Sequence, residues 1–222
     1  MKIQKGEPFF LYLNTFILAI VVLGFGSKAM MTPERLPPAS LAVALHGLSM
    51  LAWYVLVVVQ LGLIRSGKVA LHMRLGTWSL GLAFLVLALS PLVTVSNFQR
   101  TGDPMIVIAN IVNMVNFTIL YSVGIWKRFK APAHKRLMTF ASLAMLVPAA
   151  FRLFQSFGQD EMLAIPLWFG CALSVIVYDL VKTKKVHWAS VMGLILFLAG
   201  TAVILNVGSL ESWKEYLMAT IG

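Results

Sequence analysis

Four histidines supply most of the metal- and proton-handling capacity of this 222-residue chain: His46, His72, His134 and His187. Three of them, His72, His134 and His187, each stand where a basic connection runs into an apolar stretch. Neutral imidazoles drawn from three helices can bind a transition metal, and two can ligate a haem iron axially. The plainer alternative is three histidines sitting in basic loops, and it is strongest for His187, which follows Lys184 and Lys185. The single cysteine, Cys171, excludes a disulfide within the chain, a thiolate-rich metal site and an iron–sulfur cluster. No nucleophile–base pair or paired carboxylates stand out, so no reaction is assigned from the sequence.

A second constellation consists of polar residues inside apolar runs, where they are expensive and therefore informative. With about 1.5 Å of rise per residue, His46 falls about 10 Å below one boundary of its run. Arg152 falls about 8 Å below the same boundary of a core about 30 Å thick. Asn110 and Asn113 fall about 7 and 12 Å deep, and Ser90 and Thr201 are comparable. His46, Trp53 and Gln60 recur every seven residues and share a helix face. His134 and Arg152 are five full turns apart and share another. These residues predict an outer-leaflet pocket lined by His46, Asn110, Asn113 and Arg152, with Gln60 further along the His46 face, for a quinone or other small polar ligand. Each also has a purely structural alternative. Asn and Ser serve as interhelical glue, Arg152 can snorkel to headgroups, and the methionines near Arg152 can be packing. Pro148 is expected to kink its helix.

The elements that must position these residues follow from composition. Hydrophobic residues make up 59% of the chain and charged residues only 12%, against about 45–50% and about 25% in ordinary globular domains. A soluble domain of this length has too little interior for that apolar surface. Soluble enzymes, disordered chains and nucleic-acid-binding domains are excluded, despite the net charge of +10. The fold expected is an all-α integral membrane protein, a bundle of seven transmembrane helices forming one domain. The spans lie near 9–26, 39–64, 75–95, 105–126, 137–153, 163–181 and 188–207. The first resembles a signal peptide, with Lys2 and Lys5 before it and Ser27-Lys28-Ala29 after it, but its length favours a retained helix. A short interfacial helix is expected after Gly208, capped by Ser209, with Leu210, Trp213 and Leu217 on one face.

Thirteen of the 18 lysines and arginines fall on the side of the N-terminus and the even-numbered loops. That bias places the N-terminus in the cytoplasm, facing an anionic inner leaflet, in what is expected to be a bacterial inner (plasma) membrane. It accounts for the high charge without a nucleic-acid partner. Trp78, Trp126 and Trp188 fall near inner helix ends and Trp168 and Trp213 near outer ones, as interfacial belts would.

Two segments echo each other 62 residues apart: His72-Met-Arg-Leu-Gly-Thr-Trp78 and His134-Lys-Arg-Leu-Met-Thr-Phe140. Together with His46, Gln60 and Arg152, this pattern resembles that of a family of uncharacterised multi-pass bacterial membrane proteins. Members carry a His, a later Gln, Leu-His-Arg-x-Leu-Gly and a second His-Lys-Arg-Leu-Met-like segment. Met73 departs from it, standing where the family has Arg. The resemblance covers residues 40–155 and implies no activity. A looser likeness to cytochrome b561-type proteins implies haem b. Those proteins pair histidines in both leaflets, whereas three of the four here fall on one side.

Three functions are therefore weighed. The first is a haem- or metal-binding membrane protein on His72, His134 and His187, linked to electron transfer through a quinone at His46 and Arg152. The second is a small-solute transporter or channel, which a parallel repeat would suit. The third is an accessory or assembly subunit of a membrane protein complex.

Overall fold

The computed structural model describes residues 7–31 and 40–222. Lys2, Lys5, the Pro37-Pro38 connection and the start of the second expected span at Ala39 lie outside the described residues. The described chain is all-helical: α1 (Pro8–Met31), α2 (Leu41–Arg65), α3 (Val69–Thr101), α4 (Pro104–Trp126), α5 (Ala131–Ala144), α6 (Val147–Ser156), a 3₁₀ turn (Glu161–Leu163), α7 (Ala164–Thr183), α8 (Trp188–Gly208) and α9 (Glu211–Ile221). Six helices are long and apolar enough to cross a membrane, or seven spans if the bent pair α5–α6 counts as one.

Local chemistry sets the joints. Ser40 caps α2 by accepting from the Val43 N–H at 3.3 Å. Gly102 ends α3 in the left-handed region at φ 67°, and Asp103 and Pro104 then start α4 as cap and first residue. The third expected span, 75–95, is too short: α3 runs 33 residues, about 50 Å, because its polar ends continue the helix.

The fifth expected span is broken rather than gently kinked. α5 and α6 meet at 50°. Pro148 lacks an N–H, and its ring crowds the carbonyl four residues back at Ala144, where α5 stops. The Ser142 and Leu143 carbonyls at the break keep bonds from the Met145 and Leu146 N–H groups and accept from neighbouring helices as well. Tyr54 OH donates to the Ser142 carbonyl at 3.0 Å, and Trp168 Nε1 donates to Leu143 at 2.8 Å. Trp53 Nε1 donates to Ser142 Oγ at 3.2 Å. Non-helical backbone at such depth persists only where protein satisfies it. Trp168 is thus buried against the break, a correction to its expected place in a belt, whereas Trp78, Trp126 and Trp188 are exposed.

α1 is a core helix: Phe10, Ile17 and Ile20 are buried, and it continues through Ser27 and Lys28. The outside of the bundle is apolar, with Phe84, Leu92 and Leu198 exposed. The tail forms the expected short helix, α9. Its cap is Leu210, not Ser209, whose hydroxyl turns back to the carbonyls of Leu205 and Asn206. α9 packs Leu217 onto Phe98 and Val107, and Trp213 Nε1 donates to the Pro104 carbonyl at 3.1 Å.

Candidate functional site

His72 is the fourth residue of α3 and His134 the fourth of α5, so the sequence echo has the same register in both helices. Their rings stand edge to face with centroids 6.4 Å apart. His134 Nδ1 lies 2.8 Å from the Gly124 carbonyl of α4. A carbonyl only accepts, so Nδ1 carries the proton and Nε2 keeps its lone pair. His72 lies close to the backbone of Gln60 on α2. Its Nδ1 is buried without a partner. Gln60 Oε1 is likewise buried without a partner. One end of the bundle therefore gathers two neutral imidazoles and an amide oxygen from α2, α3 and α5.

Gln60 thus belongs with His72 and not with the outer pocket. It lies 14 residues from His46, about 21 Å along α2. His187 is separate too. It caps α8, its Nδ1 accepting from the Ala189 N–H at 3.1 Å. Its surroundings are Arg136 and Asp179, on the side of α5 turned away from His134. Among the described residues no three His, Cys, Asp or Glu side chains converge as a metal group, so the three-histidine set does not assemble. The echo fails at its arginines as well: Arg74 is exposed, whereas Arg136 is buried.

Arg136 carries the strongest polar cluster. Its Nε donates to Asp179 Oδ1 at 2.9 Å, and Nη2 donates to the same oxygen. Asp179 Oδ2 accepts from Ser190 Oγ at 2.7 Å and from the His187 N–H at 3.0 Å. The signal available in the sequence was Asp179, an acidic residue inside an apolar run. Outside the spans, burial, reinforced by the Arg136 charge, holds the His187 imidazole below its ordinary range. Burial opposes the charge on Glu7, but hydrogen bonds from Lys135 and Tyr178 outweigh it and lower its carboxyl.

At the opposite end, Arg152 lies near enough for its charge to act on His46. Arg152 Nη1 donates to the Pro148 carbonyl at 2.8 Å, and its guanidinium lies 4.7 Å from the Phe25 ring centroid. It has no carboxylate partner among the described residues. His46 Nδ1 is buried and unpartnered. Asn110 instead donates to Thr94 Oγ1 at 3.1 Å, tying α4 to α3. Asn113 is half-buried on α4, and nothing places it against Arg152. Neither a family model nor a curated protein nor a solved structure matches this chain.

Proposed function

We propose that this is a multi-pass membrane protein, its basic end cytoplasmic, in which His72 and His134 hold one metal centre: a transition-metal ion or a haem iron. One observation carries this reading. His134 has Nδ1 tied to the Gly124 carbonyl, and His72 beside it keeps a buried, unpartnered Nδ1. Such a carbonyl bond fixes the tautomer and raises the basicity of a ligating histidine. Two metal–nitrogen bonds of about 2 Å and the half-widths of two rings suit centroids 6.4 Å apart. The Gln60 side-chain oxygen offers a third donor. The bound centre would supply redox or ligand-binding chemistry, while the Gly124 carbonyl holds the His134 ring in place.

The test is the absorption spectrum of the purified protein together with its elemental analysis. A Soret band, or stoichiometric metal, is expected in the parent and in His187→Ala. It should be lost in His72→Ala and His134→Ala. Folded parent protein that is colourless and metal-free overturns the proposal.

At the other end, the unpaired Arg152 guanidinium and the bare His46 nitrogen suit a carbonyl-bearing ligand such as a quinone. A second reading, a small-solute transporter, is favoured by the broken α5–α6 pair, a device transporters use near their sites. Substrate flux into proteoliposomes separates it from the first, since a metal-centred redox protein gives none.

A further inference from the structure

At the basic end, an open cavity of about 340 Å³ lies between the start of α1, the start of α5 and the α7–α8 turn. Glu7, Lys135, Arg136, Lys185 and His187 border it. We infer that this cavity binds the phosphate group of an anionic phospholipid.

Charge points that way first. Three cations face one carboxylate. Glu7 holds Lys135 in an ion pair, and Asp179 holds Arg136. The ammonium of Lys185 has no carboxylate partner among the described residues. Both oxygens of Asp179 are already taken by Arg136, Ser190 and the His187 N–H, so it anchors the site without competing for a cation at the rim.

The turn that carries Lys185 is also built rather than loose. Lys184 sits in the left-handed region at φ 58°, the one residue other than glycine to do so among the described residues. Such backbone persists only where the surroundings hold it. Here Thr183 Oγ1 donates to the Lys185 carbonyl at 2.7 Å, and the His187 N–H is tied to Asp179. The backbone of Lys185 is thereby held at the border of the cavity. Val177, Leu180 and Val181 are exposed on α7 ahead of this turn, an apolar surface for surrounding acyl chains. Basic pockets at the inner ends of helices are where anionic headgroups bind.

The test is native mass spectrometry of the full chain in detergent, with phosphatidylglycerol, phosphatidylcholine and inorganic phosphate as separate probes. Phosphatidylglycerol should bind in preference to phosphatidylcholine. Lys185→Gln, at an exposed position that leaves the fold intact, should weaken that binding about fivefold, and Lys135→Gln with Lys185→Gln by more. Lys127→Gln with Lys130→Gln removes equal charge from the same end outside the cavity and should change nothing. Equal losses in both double variants, or equal binding of the two lipids, overturns the inference. So does inorganic phosphate binding that matches the lipid in affinity and in its loss on Lys185→Gln, since it assigns the cavity to a free phosphate species.

Discussion

Arg136 and Asp179, 43 residues apart, are sealed against each other with 2% and 0% of their surfaces exposed. The pair joins α5 to α7, and through Ser190 and the His187 N–H it joins both to α8. Removing one member of such a pair leaves an uncompensated buried charge, which costs about 3–5 kcal/mol. Asp179→Leu is therefore expected to lower stability by that amount in denaturant unfolding of the detergent-solubilised protein. Arg136→Met combined with Asp179→Leu should cost less than Asp179→Leu alone, because no stranded charge remains. A double variant as damaged as the sum of its singles would show the two side chains to be uncoupled.

His187 gives the protein a pH dependence of definite sign. Its Nδ1 must be unprotonated to accept from Ala189, and burial and Arg136 lower its affinity for a proton, Asp179 partly opposing them and Lys135 adding to them. The unfolded chain thus binds the proton more readily than the folded one, so stability falls as pH drops. The loss begins near the ordinary histidine value of about 6.5 and continues below it. Thermal unfolding between pH 7 and pH 5 should show it, and His187→Asn, which keeps a cap without a titrating ring, should flatten that slope. Glu7 contributes only lower down, since its carboxyl sits below its ordinary range.

The span count, the charge bias and the His72–His134 pairing were legible because each rests on local pattern: long apolar runs, basic loops, a repeated register. That His46 and Arg152 share one end of the bundle was legible from helix depth alone. What escaped was partner choice. Asn110 has the depth of a pocket residue, yet Thr94 on α3 takes its amide. His187 has the sequence context of His72 and His134, yet it caps a helix, because it precedes α8 instead of lying in its first turn. Pro148 announced a disturbance, but Tyr54 and Trp168 reach the carbonyls at the break from helices 88 and 25 residues away. Depth and face are one-dimensional properties. Which helix stands opposite is not.

The break between α5 and α6 should be sensitive to its donors. Trp168→Phe keeps a large ring but takes one of two donors from the Leu143 carbonyl, and Tyr54→Phe does the same to Ser142. Losing a partner for a buried polar group costs about 1–3 kcal/mol. Each variant should lose that much in denaturant unfolding. Because Ser142 and Leu143 also accept from the N–H groups of Met145 and Leu146, the lower half of that range is expected. A wild-type midpoint in both would mean the break is satisfied by its own backbone.

Two glycines of one helix should respond to the same substitution with opposite sign. At Gly24 an added Cβ would lie 2.2 Å from the Ala149 carbonyl oxygen of α6. Its nearest obstacle is backbone, which no rotamer change relieves, so α1 and α6 must part. Gly26, two residues on, has nothing within 4 Å of the same position. Alanine there only gains helix propensity, about 0.5–1 kcal/mol. Gly24→Ala is expected to cost more than the 1–3 kcal/mol of ordinary overpacking, and Gly26→Ala to be neutral or stabilising. Helix unfolding followed by circular dichroism in denaturant checks both. Equal midpoints for the two variants would mean that α1 does not approach α6 this closely, and with it the clasp around the α5–α6 break would lose its nearest wall.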